Sequence, residues 1–160
     1  MEGMLMKQRR LFAVLLLAAI AALAIAGPAS AAKLGVGGAD QGGRQLTTTL
    51  TGEQEVPVLG DLDGIGSATV TVNPGQGVLC YELSVSGIAL ATAAHIHEAP
   101  VREAGPVVVT LATPTDGSSG GCIEVGRDLA KEILQDPSDY YVNVHNADFT
   151  GGALRGQLSR

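Results

Sequence analysis

The chain's three histidines fall in two short segments. His95 and His97 lie in AHIHEAP, and His145 lies in YVNVHNAD. A neutral imidazole offers one nitrogen lone pair, and three such donors on rigid elements suit copper or zinc. H-x-H is a usable ligand spacing on an extended chain, because alternate strand side chains share a face. The same rule puts Tyr141, Asn143 and His145 on one face of DYYVNVHNA and Val142 and Val144 on the other. If the two segments are neighbours, the three imidazoles converge. A second chemistry uses the same residues. Histidine and asparagine at strand ends form buried hydrogen-bond clusters that pin loops. Glu98, Asn143, Asn146 and Arg155 supply the partners for such a cluster, with Arg155 held by a carboxylate or a loop carbonyl.

The remaining polar groups carry less. Glu53, Glu55, Asp61 and Asp63 are close in sequence, but their spacing matches no EF-hand, and a solvated acidic loop is expected there. No serine or threonine has a nucleophile context, and G-x-G-x-x-G, P-loop and CxxC patterns are absent. No catalytic residue is expected. Cys80 and Cys122 form an even pair, which outside the cytoplasm predicts a disulfide. Closing that loop stabilises the fold by roughly 4 kcal/mol on the chain-entropy model. A pair of metal-binding thiols is the weaker alternative, because neither cysteine sits in a ligand motif.

The elements that must position these residues read as strands. QLTTTLTG alternates, and SATVTV and VLCYELSVSG alternate on either side of the turn NPGQG, which makes a hairpin. ATAAHIHEA, PVVVTLA and CIEV follow as strands four to six. RDLAKEILQDP breaks the period of two: Leu129, Ile133 and Leu134 lie on one helical face, and Asp136-Pro137 stops the run. DYYVNVHNA and LRGQL complete the set. Strands at roughly ten-residue spacing with Gly/Pro turns predict an all-β Greek-key sandwich or flattened barrel of about eight strands, with one short helix.

The N-terminus has another purpose. A basic start, the apolar run LFAVLLLAAIAALAIAG and the Ala29-Ser30-Ala31 site predict a signal peptide over residues 1–31. A membrane anchor fits the apolar run less well, because Gly27-Pro28 breaks it. Arg9-Arg10-Leu11-Phe12 partly matches a twin-arginine signal, and the ordinary secretory route is preferred. Gly-rich residues 32–44 read as a flexible leader, and 45–160 as one domain. Cleavage removes Glu2, Lys7, Arg9 and Arg10, so the formal net charge of −6 becomes about −8. Such a charge repels nucleic acid and anionic lipid, so neither is an expected partner. The expected location is secreted or periplasmic.

The ordered blocks LTGEQEVP, GSATVTV, CYELSVSGI, AHIHEAP, GPVVVTL, YYVNVH and GGALRGQL resemble the CHRD domain, the module named after chordin. They span roughly residues 45 to 159. HEAP lacks the Gly that often follows the second histidine, and Ala153 stands where Glu is common. The resemblance implies an immunoglobulin-like or barrel-like β fold outside the cytoplasm, no established catalysis, and a binding or structural role with an unnamed partner. A more distant likeness is to copper/zinc superoxide dismutases, whose copper-ligand strands and late arginine are similar to AHIHEAP, YVNVHNAD and GGALRGQL. It implies His95, His97 and His145 as ligands and Arg155 as a steering group for an anion. A fourth histidine and the zinc loop of those enzymes are missing here, so dismutation is not expected.

Overall fold

The computed structural model describes residues 42–160. The expected signal peptide lies outside the described residues, as does the expected leader up to residue 41. The first strand starts at Arg44, one residue earlier than expected.

Eight strands are present: β1 (Arg44–Thr51), β2 (Ile65–Asn73), β3 (Val78–Ser86), β4 (Ala91–Glu98), β5 (Val107–Leu111), β6 (Ser118–Glu124), β7 (Tyr140–Asn146) and β8 (Leu154–Gln157). They form one antiparallel sheet in the order β5-β4-β7-β8-β1-β2-β3-β6, curled into a nearly closed barrel. Neighbours that are distant in sequence (β4 with β7, β8 with β1, β3 with β6) mark Greek-key connections. The expected hairpin is β2–β3, in register from Ile65↔Ser86 to Asn73↔Val78. Asn73 Oδ1 accepts the Gln76 N–H inside its turn.

Alternation decides what each strand buries. Leu46 and Leu50 of β1, Ala68, Val70 and Val72 of β2, and Leu79, Tyr81 and Leu83 of β3 point into the core. So do Ala94 and Ile96 of β4, Val142 and Val144 of β7, and Leu154 of β8. The core is built almost wholly of aliphatic side chains, as a domain without tryptophan requires. The helix α1 (Arg127–Gln135) packs Ala130 and Ile133 against it, with Leu129 and Leu134 partly buried beside them.

β6 is longer than CIEV, because Ser118–Gly121 pairs with β3 instead of forming a loop. Its register sets Cys80 opposite Cys122, and the two are joined as a disulfide. The bond is consistent with an oxidising compartment. Replacing both cysteines with alanine should lower unfolding free energy by about 2–4 kcal/mol in urea denaturation, through a less constrained unfolded chain. A double variant as stable as the oxidised parent would show that pairing alone holds β6 in place. Among the described residues, no helix is long and apolar enough to cross a membrane.

Candidate metal centre on the outer face of the barrel

Each core residue of β4 and β7 sends its neighbours outward, so the polar cluster forms on the outside of the barrel. The register lines it up in rows. His97 pairs with Tyr141 and Tyr141 with Gln157; His95 pairs with Asn143 and Asn143 with Arg155; Ala93 pairs with His145. Loops 99–106, 147–153 and 52–64 border this face.

The three histidines expected from the sequence do converge, with one nitrogen from each within 4.8 Å of the others. His95 Nδ1 lies 3.2 Å from His145 Nε2. His97 Nδ1 is 2.9 Å from the Gly105 carbonyl, and His145 Nδ1 is 3.0 Å from the Thr150 carbonyl. A carbonyl oxygen only accepts, so both Nδ1 atoms carry the proton and both Nε2 atoms carry the lone pair. Nε2 of His97 is buried and has no hydrogen-bond partner. Burial, and then the neighbouring imidazoles, lower the pKa of His95. Burial also lowers that of His97, against the opposing bond to Gly105. Both rings are therefore neutral at pH 7, the state that binds a metal.

The rest of the cluster differs from expectation in three places. Glu98 was a candidate member, but it is exposed and points away from the histidines, because it alternates with His97. Its charge acts on Tyr140, whose pKa burial and then Glu98 push up to about 12. Glu55 was expected in a solvated loop, but it is buried. It accepts a hydrogen bond from Asn143 Nδ2. Burial raises its pKa to about 7, against the lowering effects of Asn143, Arg155 and the Val56 N–H. Arg155, expected by likeness to steer an anion, is only 2% exposed. Its guanidinium donates to the carbonyls of Glu103 at 2.7 Å and Pro100 at 3.1 Å and to Gln157 Oε1 at 3.3 Å. It also lies 3.5 Å from the centroid of Tyr141, which stacks on His97 at 4.8 Å. That leaves it a clamp on loop 99–106, the loop-carbonyl role that the sequence allowed. Asn143 sits opposite His95 and spends its Nδ2 on Glu55, and Asn146 caps the next turn by accepting from Asp148 and Phe149.

Glu55, Gln157 and the Gly105 carbonyl were not found from residue types. The signal for Glu55 was present in E-V-P, one of the blocks that carried the family resemblance. Loop carbonyls leave no trace in residue identity.

No curated protein and no solved structure matches the chain. The CHRD domain family does match, over residues 46–158, from the third residue of β1 to the residue after β8. With its β barrel and its outward cluster of His95, His97, His145 and Arg155 inside that span, the chain belongs to the CHRD domain family.

Proposed function

We propose that this CHRD domain is an exported, non-catalytic binding module whose ligand is a copper or zinc ion. His97 Nε2 and His145 Nε2 hold the ion together with His95 Nδ1, whose proton moves to Nε2 as the ion replaces the His95–His145 hydrogen bond. The observation that carries the reading is the buried, unpartnered Nε2 of His97. A buried polar atom without a partner costs free energy, and a bound ion removes that cost. Two further features support it. His97 and His145 each donate Nδ1–H to a carbonyl, the outer-shell arrangement that fixes a ligand's tautomer and orientation. His95 and His145 are already at the spacing of about 3.3 Å that bond lengths of about 2.0–2.1 Å produce. Three protein ligands leave one position to solvent or to a partner's group, as uptake and transfer of an ion require.

A purely structural cluster has support of its own, because Arg155 ties β8 to loop 99–106 without any ion. Metal content separates the two readings. Protein purified from its own compartment without a histidine tag should carry near-stoichiometric copper or zinc, lost on His95→Ala/His97→Ala. Metal-free protein whose melting temperature ignores added copper and zinc would leave the structural cluster as the better reading. Redox turnover by a copper-loaded sample would move the assignment from carrier to oxidoreductase.

A further inference from the structure

Glu55 is a buried titratable group for which the metal site has no use. It leaves the turn after β1 and is 4% exposed. Backbone closes in on it. A Cβ at Gly152 would lie 2.4 Å from Glu55 Cδ and Oε1, and a Cβ at Gly60 would lie 3.0 Å from its Cγ. Gly152 also has φ +146°, which a side chain rarely adopts. These glycines let two chain segments fold directly over the carboxyl.

Its partner is the Asn143 carboxamide, whose Nδ2 donates to Glu55 Oε1. The other end of that amide, Asn143 Oδ1, is buried and has no partner. A carboxylate has no proton to give it, but a carboxylic acid has. Edge to edge with a primary amide, an acid accepts N–H through one oxygen and donates O–H from the other. Arg155 on β8 faces Glu55, but its guanidinium is committed to Pro100, Glu103 and Gln157. Glu53 on the same turn and Arg102 across a cleft of about 500 Å³ complete the charged surroundings.

We infer that Glu55 is an uncharged carboxylic acid joined to the Asn143 carboxamide, and that this pair is a proton-controlled latch holding loop 52–64 on the barrel. Beyond the latch, the loop is tied by Gly60 N–H to Gly52 O and Asp61 N–H to Ala153 O, each at 2.8 Å. Ionisation removes the donor to Asn143 and places a charge where burial opposes it.

The direction of the pH effect follows from burial. The folded carboxyl, at about 7, holds its proton more tightly than the unfolded one at 4.5. The latch is therefore complete below about 4.5 and is lost as pH rises through about 7. His95 and His97 act oppositely, since their lowered pKa values add stability as pH rises. A single stability curve would mix the two effects, so the test must read Glu55 and its loop directly.

A carbon-13 NMR titration of metal-free protein, with Glu55 assigned by through-bond correlation, should show a carboxyl midpoint near 7. A midpoint at the ordinary glutamate value overturns the inference. Hydrogen exchange supplies the loop readout, with β2 amides as internal reference after correction for intrinsic rates. One pH unit above the midpoint, amides of 52–64 should open about 30-fold more than at pH 5.5, relative to β2. Glu55→Gln, which stays neutral, should remove that difference. Unchanged relative protection in the parent across this range would show that the pair holds no loop.

Discussion

His97→Ala is expected to abolish the metal-dependent rise in melting temperature. At ion concentrations about 100 times the Kd, binding adds about 2.7 kcal/mol to the parent, which for a domain of this size is a rise of roughly 10 °C. The variant lacks the nitrogen that is buried and without a partner in the metal-free fold. Two imidazoles remain, and His95 and His145 can satisfy each other across 3.2 Å without an ion. The metal-free variant should also lose about 1–3 kcal/mol, because the Gly105 carbonyl loses its donor. Tyr141 loses its stacked ring as well. Scanning calorimetry with and without copper or zinc separates the two losses. A structural role alone predicts the second loss in full, equal with and without metal. A variant as stable as the parent under both conditions would refute the metal site and the structural cluster together.

Arg155→Met is expected to cost about 3–5 kcal/mol, measured by urea denaturation. The figure follows from the groups that are left behind. Two loop carbonyls, of Pro100 and Glu103, lose their donors, as does Gln157 Oε1. Methionine matches the volume but not the fork of donors, so the apolar contact with Tyr141 survives while the loop ties do not. Arg155→Lys should recover only part of the loss, because one ammonium cannot span both carbonyls as the planar fork does. Loop 99–106 also carries Gly105, whose carbonyl orients His97. Loosening it should weaken metal binding about 10- to 100-fold, the usual effect of an outer-shell loss. An Arg155→Met protein within about 1 kcal/mol of the parent would mean that the loop is held elsewhere.

Much of this site was legible in residue types because alternation on a strand is local. Whether His95 and His97 face out while Ala94 and Ile96 face in depends only on pleat and hydrophobic pattern. The same holds for Tyr141, Asn143 and His145 against Val142 and Val144. An even pair of cysteines behind an expected export signal was enough to expect their bond, and the helix was marked by its change of period. Glu98 fails the same rule of alternation, since it sits one step from His97, as Asn146 sits one step from His145. Glu55 was misplaced for a different reason. An acidic turn looks solvated when read alone, and only what folds over it decides otherwise.

Sequence by itself determined the family, the strands, and the face on which each histidine lies. Those properties rest on period, propensity and motif, which need no distant partner. Tertiary structure decided that β4 lies beside β7, about fifty residues away, and so brought His145 to His95. It also decided that β8 lies between β7 and β1, which turned Arg155 from a supposed anion guide into a buried clamp. Gly152 and Asn143, distant in sequence, close over Glu55 and make a proton-bearing group of it. Burial and pairing depend on groups brought together from far along the chain, and no local pattern encodes which of them will meet.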